Sequence, residues 1–150
     1  MEANPVVLRI IAGARVAGKH YGIPWRLLAG VALHESGHGR ALSAPNNVIG
    51  MKWAAGQWKL PGARVQTKEN VGGAELSVAA RFASFPSVEA CMVYLAELLT
   101  FSSHYGGVRR CLAAGDLVAA ANTMGGIYAT DPHWARGVLG NIAMLEADGA

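Results

Sequence analysis

The feature that most narrows what this chain can fold into is the spacing of apolar residues between Pro5 and Ser36. Val6, Ile10, Ala14 and Ala17 recur at three- and four-residue steps behind a proline suited to the first helical position. Gly22 and Pro24 interrupt that stripe. Leu27, Leu28, Val31 and Ala32 then resume it until Gly37 and Gly39 supply a stop. Two consecutive helices follow, the second running from Pro24 to about Ser36 with Glu35 in its last turn.

Beyond them, residues 40–63 are rich in Ala, Gly, Pro and Asn and read as loop, with NNVIGMKW as a short ordered segment. RVQTKEN and ELSVAARF flank Val71-Gly72-Gly73-Ala74, the pattern of a β-hairpin on a glycine turn. Ser87 can cap a helix through about Ser102 with Ala90, Val93, Tyr94 and Leu98 inward. Further helices are expected near 108–122 and from Pro132 to about Ala147. The expected class is mainly α (α+β), with a small β-lobe. At 150 residues, without repeat or linker, residues 1–150 read as one domain.

Charged residues are 15% and the hydrophobic class 52%, which excludes a disordered chain. The net charge of +3 and pI near 9.1 favour an anionic partner such as cell wall, nucleic acid or membrane headgroups. The basic residues are scattered singly apart from Arg109-Arg110, so no nucleic-acid groove is expected. No stretch approaches 18 uninterrupted apolar residues, so no membrane span is expected either. Glu2, Arg9 and Arg15 break the pattern of a secretion signal. Cys91 and Cys111 are compatible with one disulfide or with two free thiols.

HESGH, residues 34–38, has the letters of a zinc-binding H-E-x-x-H. That reading needs His34 and His38 one rigid helical turn apart and a third protein ligand. Gly37 and Gly39 weaken the turn, Ala41 and Ala44 stand where the extended motif wants Gly and His, and no acidic residue occurs between Glu35 and Glu69. Zinc is therefore the minor reading, and no metal or cofactor is expected. Glu35 instead follows Val31 by four and Leu28 by seven, projecting from the apolar stripe. Partial desolvation and the negative end of the helix dipole would favour its neutral form, as a general acid requires. The competing structural reading is a carboxyl hydrogen-bonded in a helix–loop junction.

LLAGVALHESGHGRALSAPNNVIGMK resembles the A-L-x-E-S-G-x-G... N-N-x-F-G-x-K signature of the glucosaminidases of glycoside hydrolase family seventy-three, a group of flagellar and autolytic wall hydrolases. TKEN, a glycine turn and ARFASFPSVEACMVYLAELL are similar to the family's T-x-E-Y, turn, F-R-x-Y-x-S and helix. GGIYATDPHWARGVLGNI is similar to its G-Y-A-T-D-P-x-Y-A-x-x-I. The departures are His38 for an aromatic residue, Ile49 for Phe, Asn70 for Tyr and Ala83 for Arg.

The resemblance implies a lysozyme-like helical lobe with a β-hairpin lobe flanking the cleft. It makes Glu35 the general acid and Glu69 the second carboxylate, with Glu75 the competing candidate across the turn. Alternation places Val65, Thr67 and Glu69 on one strand face. Tyr128 matches the tyrosine expected to line the cleft and to hold the sugar or the attacking water. Asn46 and Asn47 match the N-N block, where they would bind acetamido groups or brace the loop. Trp53, Trp58 and Trp134 are candidates for stacking on sugar faces, and Asp131 reads as the cap of the last helix.

The implied reaction is hydrolysis of a β-1,4 bond in a peptidoglycan glycan strand, on the reducing side of N-acetylglucosamine. Glu69 would activate water or, if the substrate's N-acetyl oxygen attacks, orient it. A lysozyme-like muramidase or lytic transglycosylase is the alternative within the class, and a non-catalytic wall-binding module the alternative outside it. The substrate lies outside the cytoplasmic membrane and no export signal is read. Delivery as a phage lysin, as cargo of an apparatus such as type VI secretion, or as a domain of a larger exported hydrolase stays open; the favoured expectation is a monomeric antibacterial effector acting in the periplasm of a target cell, with an immunity protein occluding the cleft.

Overall fold

In the computed structural model, residues 4–53, 60–62, 66–67 and 81–149 are described. Helix α1 spans Pro5–Tyr21: Asn4 Oδ1 accepts the Val7 N–H at 2.9 Å, Pro5 starts the helix, and Gly22 ends it at a φ of 70°. Its stripe of Val7, Ile10, Ala14 and Ala17 is buried. The side-chain-free surface of Gly13 lets α3, Val88–Phe101, approach, since a methyl group there would stand 3.1 Å from the Cα of Glu89.

Helix α2, Trp25–Glu35, is the central element, with every residue from Leu27 to Leu33 buried. A helix that is apolar all round must be enclosed, and α2 packs on α1, on α3 and on the last helix, α6, Trp134–Ala147. It stops where the glycines predicted: Gly37, His38 and Gly39 all have positive φ, at 56°, 57° and 82°. Ser36 Oγ donates to the Ala32 carbonyl and accepts the Gly39 N–H, while the Asn4 amide donates to the His38 carbonyl. The HESGH turn is thereby fastened to the start of α1.

A two-residue antiparallel pairing joins β1, Gln66–Thr67, to β2, Ala83–Ser84, in the register Gln66↔Ser84 and Thr67↔Ala83. Lys52 bridges Phe82, and the Ala83 N–H donates to the Met51 carbonyl. The strand that pairs thus lies one residue past the expected ELSVAARF run; Glu69, Glu75 and the glycine turn expected between them lie outside the described residues.

Helix α3, Val88–Phe101, begins as expected at Ser87, whose Oγ accepts the Ala90 N–H. Its most deeply buried line includes Cys91, Tyr94, Leu95 and Leu98, so Ala90 and Val93 are only half-buried flanks of the face. A 3₁₀ turn at Ser103–Tyr105 leads into α4, Gly106–Ala113. The single helix expected near 108–122 is two: Gly115, at φ 74°, breaks it, and Asp116 caps α5, Leu117–Tyr128, by accepting the Ala119 N–H. Helix α6, Trp134–Ala147, starts two residues later than expected; Asp131 caps the preceding turn, taking the His133 N–H at 2.8 Å. One apolar cluster runs through all these helices.

Candidate active site

Glu35 closes α2 and is half-buried, facing the loop that follows Asn47. Its Oε2 accepts the indole N–H of Trp134 at 2.6 Å. Its Oε1 faces Gly50, where a methyl group would lie 2.8 Å away, and the φ of 64° at Gly50 is itself one that side chains rarely adopt. The carboxyl sits between an indole donor and bare backbone.

Asn47 holds that backbone in place. Fully buried, it accepts the Ile49 and Met51 N–H groups and donates to the Met51 and Ala83 carbonyls at 2.9 and 2.8 Å. Of the two roles open to it, bracing is the one its bonds fill. Asn46, half-buried at a φ of 60°, donates its amide to the Phe85 carbonyl, tying the same loop to the start of α3. Asn47 joins the Glu35 wall to the β pairing, because Ala83 pairs with Thr67.

Tyr128, the last residue of α5, donates its hydroxyl to the Ile49 carbonyl at 2.5 Å and lays its ring against Trp134, centroids 5.2 Å apart. Burial pushes its hydroxyl well above the usual range and the Glu35 charge adds to this, so it remains a neutral donor. Trp134 is 1% exposed, which corrects its assignment as a sugar-stacking platform: the ring is enclosed and only its N–H is spent on the site. Its partner on the other side is His34, edge to face at 6.1 Å. Trp53 is half-buried with the Arg81 guanidinium over its ring at 5.7 Å. A groove of about 500 Å³ opens beside the cluster, lined by Asn122, Gly125, Gly126, Thr130, Asp131 and Ala135.

The two histidines of HESGH are not presented as a pair. His38 lies beyond the end of α2 and its Nε2 meets Asn141 Oδ1 at 2.9 Å, whereas His34 is packed against Trp134 and Gly137. Among the described residues no three His, Cys, Asp or Glu side chains cluster as metal ligands. Cys91 and Cys111 are both free. Glu69, Glu75 and Trp58 lie outside the described residues, so the structure brings together Glu35, Tyr128, Trp134 and the Asn46-Asn47 loop. The approach of Gly50 and the donor role of Trp134 went unread in the sequence; a glycine two residues past a buried Asn-Val pair was the available signal for the first.

A family model described as mannosyl-glycoprotein endo-beta-N-acetylglucosaminidase matches residues 11–147. The chain belongs to the glucosaminidase family. It is 33% identical over 153 residues to the peptidoglycan hydrolase FlgJ of Salmonella typhimurium, an alignment covering 97% of this chain and 47% of FlgJ. The chain therefore spans about half the length of the curated relatives it matches. Among solved structures, the glycoside hydrolase domain of Salmonella typhimurium FlgJ superposes with a TM-score of 0.71 at 28% identity, covering 99% of this chain and 91% of that one. A peptidoglycan hydrolase of Sphingomonas sp. A1 superposes with a TM-score of 0.67 at 24% identity, covering 93% and 90%. The resemblance to glycoside hydrolase family seventy-three and the mainly helical, lysozyme-like fold are borne out, and membership makes the chain a glycoside hydrolase.

Proposed function

We propose that this glucosaminidase-family chain hydrolyses peptidoglycan glycan strands at the β-1,4 bond on the reducing side of N-acetylglucosamine, with Glu35 as general acid. The observation that carries the reading is the state of the Glu35 carboxyl: one oxygen is engaged by Trp134, and the other faces a glycine with no side chain to block an approaching sugar oxygen. Its relatives carry the name peptidoglycan hydrolase. Glu69, two positions after Thr67 in the sequence, is assigned as the second carboxylate; Thr67 itself pairs with Ala83, which is bonded to Asn47 and Met51. Tyr128, a neutral donor beside Glu35, steadies the Ile49–Gly50 backbone and borders the water or N-acetyl group that attacks.

Digestion of purified peptidoglycan by the wild type and by Glu35→Gln, followed by borohydride reduction and mass spectrometry, tests this. Reduced N-acetylglucosamine ends that vanish in the variant are expected. Reduced muramic acid would make the chain a muramidase, and anhydro ends a transglycosylase. The proposal extends to delivery: the chain acts in a target cell's periplasm as an antibacterial effector, restrained by an immunity protein covering the half-exposed Glu35. Lysis on periplasmic targeting is the expected result, and unimpaired growth overturns that part alone.

A further inference from the structure

The chemistry of a general acid depends on which carboxyl oxygen carries the proton, since only one can point at the leaving group. In this molecule the two oxygens of Glu35 stand in different surroundings. Oε2 receives the Trp134 N–H at 2.6 Å, and an indole N–H can only donate. An oxygen already accepting such a bond is a poor place for a proton. Oε1 stands over Gly50, where even a methyl group would intrude to 2.8 Å.

The indole is itself held between Tyr128, His34 and the backbone at Gly125. Tyr128 lies tilted at 32° against it, centroids 5.2 Å apart, with its hydroxyl anchored on Ile49. His34 stands at 82° to it, and His34 has room only because residue 137 is glycine: a methyl group there would come within 2.5 Å of Nδ1. Gly125 admits the other edge, a methyl group there lying 3.3 Å from Trp134 Cε3. Trp134 is 1% exposed, so substrate does not rest on it. A residue packed this tightly, with its one polar atom aimed at the acid, is suited to fixing a direction.

We propose that Trp134 is the positioning residue of Glu35: it holds Oε2 as an acceptor, so that the catalytic proton rides on Oε1 and is delivered across the face of Gly50. This rests on the reading of Glu35 as general acid. During the step the Oε1–H bond breaks, the proton passes to the glycosidic oxygen as the C–O bond opens, and the carboxylate left behind keeps its Trp134 bond.

The test replaces Trp134 with β-(3-benzothienyl)alanine, which keeps the bicyclic shape and lacks the N–H, with Trp134→Phe as the encodable counterpart. Each variant is assayed on a chitooligosaccharide and on the same sugar carrying an activated aryl leaving group that departs without an acid's help. Expected are an unchanged melting temperature for the benzothienyl variant, an unchanged KM, and a kcat on the natural linkage lower by about tenfold or more. On the aryl substrate the loss should shrink to less than about threefold, in parallel with Glu35→Gln. Equal losses on both substrates, or undiminished kcat on the natural linkage while Glu35→Gln is inactive, overturn the positioning role. A fully active Glu35→Gln would instead overturn the general-acid reading and this inference with it.

Discussion

Two buried or half-buried carboxyls show how much a single residue's surroundings decide. Glu35 borders solvent and is proposed to exchange a proton with substrate; Glu35→Gln keeps the Trp134 bond as an amide acceptor, so it should lower kcat by about a hundredfold to ten-thousandfold while leaving the melting temperature within a degree or two. Glu97 on α3 is fully buried and takes the Tyr21 hydroxyl at 2.5 Å. Burial pushes Glu97 up from the usual glutamate range, against the opposing pull of Tyr21 and His20. The folded state therefore holds this proton more tightly than the unfolded chain, and the stability it confers is present below the ordinary glutamate value and lost as pH rises through the raised one. Tyr21, pushed up to about 12 by the same bond, adds a second loss above its ordinary value of 10. Urea midpoints of Glu97→Gln measured across weakly acidic pH should fall less with rising pH than those of the wild type. An identical slope would show that Glu97 does not titrate there.

At the scale of elements, the helices were legible wherever punctuation and period agreed. Pro5 and Gly22 bounded α1, Ser87 announced α3, and the glycines of HESGHG ended α2 at the catalytic candidate. The misreading of α4 and α5 as one helix has a plain cause: the apolar period runs on through Val108, Leu112, Ala120 and Met124, and it outweighed a Gly-Asp pair that ends one helix and caps the next. The site was legible as letters and illegible as geometry, since Trp134 has the composition of a stacking platform and only packing shows that it is sealed. Gly115 and Gly50 separate strain from function. Both have positive φ, but a methyl group at Gly115 meets nothing within 4 Å, whereas one at Gly50 meets Glu35. Gly115→Ala should cost about 1 kcal/mol of stability and leave activity intact. Gly50→Ala should add to a similar cost a loss of most activity, measured at a temperature where both variants are folded by circular dichroism; an active Gly50→Ala would show that the Oε1 face is not used.

Over the whole molecule the net charge is +3, and the basic groups are dispersed. In the described residues, Arg9 bridges Glu89 at 3.1 Å, while Arg15 and Arg26 lie over the Trp25 ring. A net positive charge of this size gives a modest long-range attraction for an anionic polymer, which acts mainly on encounter and is screened over roughly 10 Å at 0.1 M salt. Glycan strands bearing peptide carboxylates would feel that field, and an uncharged chitooligosaccharide would not. Raising salt from 10 to 300 mM should therefore increase KM on peptidoglycan severalfold with kcat unchanged, and leave KM on the neutral oligosaccharide flat. Parallel changes on both substrates would mean that salt acts on the fold or on the cleft, not on approach. A flat response on both would mean that binding is carried by short-range contacts around Glu35 and owes nothing to the basic balance of the chain.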